Sequence, residues 1–362
     1  MWVLMMQNWQ NKMSRYIPLL GSLLACSLHA DDMGMKTSAA VDIVGATKIS
    51  KESDASDRLD VRAAELLLYG PIDPTFDGLL SIAAHQEAEG SFFEFHEAYI
   101  ASSKLIPRSQ VRVGQFFLNI GRLNSVHRHE WPFISAPKVH EQFFGAEGVA
   151  DSGLEYSYLA PLPFFLDLSF GLTNGWVYGH SHNQGAKPRQ PIRYARAGSY
   201  VSLFANGGAK TGFNYLERRA ADGENMTLVG LDLVAKWRAQ QTLLFLLQSE
   251  AWFRTKQALH GDKEQSLGAY VYPQHALRED LFFGSRFDYY SILTLKDVTN
   301  KDIDNATYAI VPTLTYKASE FATLRIAYNY EWSKMASQED KQNQKLEMQA
   351  TFIMGAHPAH DF

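Results

Sequence analysis

The sequence predicts an all-β chain, a single antiparallel β-barrel of about sixteen strands that crosses a membrane. Three observations predict it. Short segments alternate apolar and polar residues at every second position, aromatic residues make up 13% of the 362 residues, and no stretch holds the roughly eighteen consecutive apolar residues that a membrane-crossing helix needs. A period of two turns one face of each segment to lipid and the other to water.

Residues 1–30 read as a secretory signal, leaving residues 31–362 as the barrel. Lys12 and Arg15 precede an apolar run at 16–28, and Ala30 before Asp31 and Asp32 offers a small-residue cleavage point. The first dozen residues are long and Trp-rich for a basic leader, so Met13 is an alternative start. The one cysteine, Cys26, falls inside the leader, so the exported chain is expected to carry no thiol. Leu23, Leu24 and Ala25 before Cys26 fit a lipoprotein box only loosely. Losing Lys12 and Arg15 takes the formal net charge from −5 to −7, which argues against a nucleic-acid partner.

Alternation is clearest in the C-terminal half. In 321–332, Ala322, Leu324, Ile326, Tyr328, Tyr330 and Trp332 share one face, opposite Thr323, Arg325, Ala327, Asn329 and Glu331. In 227–238, Val229, Leu231, Leu233 and Trp237 oppose Gly230, Asp232, Lys236 and Arg238. In 283–295, Phe283, Phe287, Tyr289, Leu293 and Leu295 would face outward, with Arg286 and Asp288 inward. Asp232, Lys236, Glu250, Arg286, Asp288, Arg325 and Glu347 are therefore expected to line a polar lumen. A soluble sandwich also alternates. The export signal, the high strand number without a second domain and Phe362, closing the chain after the alternating segment 345–354, favour the membrane barrel. Such a terminal aromatic resembles the signal by which barrel assembly machinery takes up outer-membrane barrels.

Connection lengths agree with that reading, since such barrels combine short periplasmic turns with longer external loops. If the first strand runs outward from about Ala39, the connections at 71–76, 105–109, 160–163, 206–209, 239–241, 277–280 and 318–320 are all periplasmic and short. Those at 121–151, 174–194, 255–265 and 334–343 are external and mostly longer. The strand count is then even, with both termini on the periplasmic side. The first strand and 267–272, interrupted by Pro273, are the weakest segments, so about fourteen or eighteen strands are the alternatives.

The third external connection, 121–151, is far longer than loop statistics favour. Its length exceeds what a rim connection needs, and its aromatic residues could anchor it inward against the wall; the alternative is a cap packed on the rim by Trp131, Phe133, Phe143 and Phe144. Histidines cluster here and elsewhere: His127 with His129, His140, His180 with His182, and His357 with His360. The pairs His127/His129 and His180/His182 place imidazoles on one side of an extended segment, a spacing compatible with zinc or copper. No cofactor is otherwise expected, and zinc is the metal expected if such a site is filled. No Gly-x-Ser-x-Gly elbow occurs, and no catalytic triad can be assembled.

Several stretches carry a family resemblance: 64–69 with Ile72, Asp73 and Pro74; His96 to Tyr99; Val113 to Phe116; Gly121 to Asn124; 127–132; 145–153; and Gly355 to His360. They resemble a group of porin-like outer-membrane proteins of Gram-negative bacteria, some labelled zinc-regulated outer-membrane receptors and others porins. The resemblance covers nearly the whole exported chain and is densest in 61–160. It implies a third external loop folded into the barrel, where Arg122, His127, Arg128, His129 and Glu130 would set the field at a constriction. Only about ten residues separate the leader from the first strand, too few for the plug of a gated receptor. The expected function is a passive channel for small hydrophilic solutes or ions, set in outer-membrane lipid, compatible with a homotrimer, and not an enzyme. The alternatives are a zinc-linked uptake channel and a non-conducting structural barrel.

Overall fold

The computed structural model describes residues 34–356, apart from 52, 54, 88–89, 146, 176–187, 189, 205, 241, 260, 262, 295–304 and 336–337. The leader with Cys26, and His180, His182, Leu295, His357, His360 and Phe362, lie outside the described residues.

The described residues form sixteen antiparallel strands in sequence order. They are β1 (Lys36–Lys48), β2 (Arg58–Pro71), β3 (Asp77–Glu87), β4 (Gly90–Ser102), β5 (Ser109–Phe117), β6 (Ala150–Leu159), β7 (Phe165–Thr173) and β8 (Gln190–Leu203). The second half comprises β9 (Gly207–Arg219), β10 (Asn225–Ala239), β11 (Thr242–Gln257), β12 (Lys263–Ala276), β13 (Leu281–Ile292), β14 (Asn305–Ser319), β15 (Ala322–Met335) and β16 (Gln338–Gly355). β1 pairs with β16 from Ser38 opposite Gly355 to Lys48 opposite Lys345, which closes the barrel. Closure leaves no row of unpaired backbone groups facing lipid, where each would cost several kcal/mol.

Alternation sets which side chains point out. Leu231 is 59% exposed on the outer face while Asp232 is 4% exposed, and Ile326 at 51% adjoins Arg325 at 8%. Phe283, Phe287 and Leu293 are likewise exposed, and Arg286 and Asp288 are buried inside.

One strand and two connections differ from expectation. β12 runs straight through Pro273, which pairs with Leu247 of β11, while the ladder to β13 skips from Val271 to Gln274. Proline cannot donate a ladder hydrogen bond, so the strand survives by losing pairing on one side only. The expected external loop 334–343 is instead a hairpin, with Met335 opposite Gln338 and most of its polar residues within β16. The expected loop 255–265 shrinks in the same way, since β11 reaches Gln257 and β12 begins at Lys263. Ladder hydrogen bonds do not depend on side-chain polarity, so strands continue beyond the apolar band that made them legible.

Two β-bulges interrupt the wall near one point. Asp42 pairs with Ala63 and Ile43 with Val61, leaving Arg62 as an extra residue of β2. Ser81 pairs with Glu97 and Ile82 with Phe95, leaving His96 as an extra residue of β4. A bulge re-aims side chains locally: His96 and Glu97 are both buried although they are neighbours in sequence, while Phe93 and Phe95 stay outside.

Candidate functional site: the inner loop and its sockets

Residues 118–149, between β5 and β6, turn into the barrel. Leu118, Ile120, Leu123, Trp131, Phe133, Val139, Phe143, Phe144 and Val149 are all buried and join one core with Tyr270, Tyr272 and Trp252 of the opposite wall. A rim cap would leave much of this surface in water. Burying each large side chain instead contributes about 1.5–3 kcal/mol, which offsets the cost of ordering a long loop. The aromatic residues thus anchor the loop within the barrel and not at its rim.

Asn124 ties the neck. Its side-chain amide donates to the carbonyls of Leu118 (2.8 Å) and Val149 (3.1 Å), and its oxygen accepts the Val149 N–H at 2.7 Å. Farther in, a 3-10 turn (Arg128–Glu130) leads to α1 (Lys138–Phe144), which packs on β11, β12 and β13. The tip spans the lumen. Arg286 of β13 donates to the carbonyls of Ser135 and Ala136, the Ser135 hydroxyl donates to Glu347 of β16 at 3.0 Å, and Arg62 of β2 donates to the Ile134 carbonyl at 2.7 Å. Lys138 of α1 bridges to Glu331 of β15 at 2.7 Å.

The wall charges expected to line open water serve largely as sockets for this loop or as pairs in a network. Glu250 accepts loop amides, Arg286 and Glu347 hold the tip, and Asp288 binds Arg286 at 2.9 Å. Asp232 is held by Arg196 (2.9 Å) and Asn214 (2.7 Å), and Arg325 donates to Gln349 at 2.7 Å. Lys236 is half-buried. Burial follows from the loop lying over them, a tertiary event that strand alternation does not encode.

Among the loop residues expected at a constriction, Arg122, Arg128 and Glu130 are half-buried, while His127 and His129 are buried. Both histidines turn to a single carboxylate, Glu65 of β2, with His127 Nδ1 at 3.0 Å and His129 Nδ1 at 3.4 Å. His127 Nε2 also meets Glu97 of β4 at 3.1 Å. Burial alone would pull His127 down, but the carboxylates of Glu65 and Glu97 outweigh it and hold its pKa well above the usual range. The pair that sequence spacing offered to a metal therefore shares a carboxylate.

Beside that pair lies a second cluster that sequence reading did not assemble: His85 of β3, Glu94 and His96 of β4, and Glu147 of the loop. Its signal was present in part. The outward phase of Phe93 and Phe95 puts Glu94 and His96 on the inner face, as the inward phase of Ala83 does for His85. The bulges and the return of Glu147 to this wall had no such signal.

Known proteins resemble the chain at two levels. An uncharacterized protein of Aquifex aeolicus (strain VF5) is 28% identical over 328 residues, covering 83% of this chain and 69% of the relative. Among solved structures, in-vitro folded OmpT of Vibrio cholerae superimposes with TM-score 0.59 at 8% identity, covering 88% of this chain and 97% of that one. OmpF of Salmonella typhi gives 0.59 at 12% identity, with coverage of 90% and 99%. The anion-selective porin of Comamonas acidovorans gives 0.56 at 10% identity, with coverage of 89% and 98%. At such identities the structural likeness speaks for the fold. The family is shown by sequence: the chain belongs to the beta-barrel porin-2, OmpL-like family of bacterial outer-membrane barrels, which its residues 143–357 match.

Proposed function

We propose that the protein is a passive diffusion channel for small hydrophilic solutes or ions, its path narrowed by the loop 118–149. The observation that carries this reading is the loop itself, buried across the lumen and held from β2, β11, β13, β15 and β16. Arg122, Arg128 and Glu130 remain partly exposed on it, and charges at a narrow point act at close range on a passing ion. The family and fold indicate a channel, and no catalytic step is part of this reading. A homotrimer belongs to the same proposal, since OmpT of Vibrio cholerae is described in a trimer form.

Planar-bilayer recording of the refolded chain tests it. Discrete conductance steps are expected. A correctly folded barrel that never conducts would support the structural-barrel alternative and end the channel reading.

A further inference from the structure

We propose that His85, Glu94 and His96 bind one divalent transition-metal ion on the inner wall, with Glu147 of the loop completing its coordination.

The donor atoms already stand at ligand spacing. His85 Nε2 and His96 Nε2 are 2.8 Å apart, and Glu94 Oε1 lies 3.1 Å from the first and 3.4 Å from the second. Tetrahedral coordination at metal–nitrogen distances near 2.0–2.1 Å gives ligand-to-ligand edges of about 3.3 Å, so these three atoms outline one face of such a site. One donor atom from each of the four residues lies within 4.8 Å of the others.

The outer partners orient the rings. His85 Nδ1 is 3.1 Å from the Arg62 carbonyl, which can only accept, so Nδ1 carries the proton and Nε2 presents its lone pair to the centre. His96 turns Nδ1 towards Glu65 Oε1 at 3.7 Å and its Nε2 to the same centre. Metal-bound histidines commonly direct their second nitrogen to a carbonyl or a carboxylate in this way. Two imidazole nitrogens 2.8 Å apart are bridged either by a proton, carried by one ring and donated to the other, or by a metal ion.

Charge favours the metal. Glu94 faces the centre and Glu147 Oε1 stands 3.8 Å from Nδ1 of His85, with Glu65 and Glu97 close behind. Of the nearby cations, Arg62 is held by Asp42 at 2.5 Å, Arg128 stands 3.9 Å from Glu147, and His127 is held by Glu65 at 3.0 Å and Glu97 at 3.1 Å. Two imidazoles with carboxylate oxygens suit zinc, cobalt or nickel better than calcium or magnesium, which prefer oxygen alone. Because Glu147 belongs to the loop and the other three residues to the wall, the ion would clip one to the other.

The test uses the folded barrel in detergent after chelator treatment, titrated near neutral pH with zinc chloride alone by calorimetry and with cobalt chloride by visible absorption. One saturable equivalent and tetrahedral cobalt bands are expected. His85→Ala and His96→Ala should each weaken binding at least tenfold, while His275→Ala, on the distant strand β12, should leave it unchanged. If the alanine variants fail to fold, His96→Cys should keep the site and add a thiolate-to-cobalt charge-transfer band. Absence of saturable binding to the folded wild-type chain overturns the proposal, because a shared proton then suffices. So does binding that is equal in wild type, His85→Ala and His96→Ala, or binding lost only on changing His180 and His182. Conductance of the chelator-treated barrel reads the channel function separately.

Discussion

The carboxylate of Glu250, on β11, accepts the backbone N–H of Leu123 at 2.8 Å and so fastens the inner loop to the far wall. The same carboxylate accepts from the Arg122 N–H (3.2 Å), the Trp252 indole (2.8 Å) and the Tyr270 hydroxyl (3.1 Å). Gly121 precedes this contact with φ of 65°, and a Cβ there would strike the Glu250 carboxylate. Glu250→Ala leaves these donors without their acceptor, at about 1–3 kcal/mol for each buried group stranded. Limited proteolysis within 118–149 should quicken about five- to thirtyfold per 1–2 kcal/mol of easier opening, while the heat-modified gel shift of the barrel is kept. Unchanged cleavage would show that Glu250 does not hold the loop.

Leu231 and Ile326 point outward. Leu231→Arg and Ile326→Arg should each lower folding stability by about 2–4 kcal/mol if they sit near the bilayer midplane. Lys236→Arg, which keeps a cation on the inner face, should stay within about 0.5 kcal/mol of wild type. Asp232→Arg is unsuitable as the mild control that strand phase alone suggests, because it sets a second cation against Arg196. Urea titration in lipid vesicles measures all three, and equal costs at 231 and 236 would refute the phase.

Deleting residues 125–139 removes Trp131, Phe133 and Ser135 and frees Arg286 and Glu347 to face water. Single-channel conductance should rise. Replacing Arg122 and Arg128 with Glu should move the reversal potential towards cation preference. If neither change alters conductance or selectivity while the barrel folds, the loop lies off the permeation path.

His140, on α1, is buried between Trp131 and Phe144, with Nδ1 3.2 Å from the Gly145 carbonyl. Burial, with Arg128 adding to it, pushes its pKa down to about 3 from 6.5. The docked loop therefore keeps His140 neutral, and an undocked loop would protonate it near its ordinary pKa. Stability of docking is undiminished above that value and falls as pH drops towards 3, by about 2 kcal/mol at pH 5 from 1.36 kcal/mol per unit. Loop proteolysis by an acid-active protease should rise more between pH 7 and 5 in wild type than in His140→Leu. Parallel pH profiles for the two would assign the change to other groups.

The alternation of Leu231 with Asp232 and of Ile326 with Arg325 was legible because strand phase is local: the face a side chain takes follows from its neighbours two residues away. The membrane barrel, its approximate strand number and the inward set of charges followed from the chain alone for that reason. Polar strand ends at 334–343 were not legible, since extension beyond the lipid leaves no apolar trace. Nor was the fate of the inward charges. Asp288 and Arg286 read as a wet pair, yet the loop covers them, and whether an inward carboxylate meets water or a loop amide depends on a segment more than one hundred residues away in the chain. The meeting of His85, Glu94 and His96 with Glu147 likewise required the bulges at Arg62 and His96 and the inward path of the loop. Periodicity determines which side a residue faces, but only the packed chain decides what waits for it there.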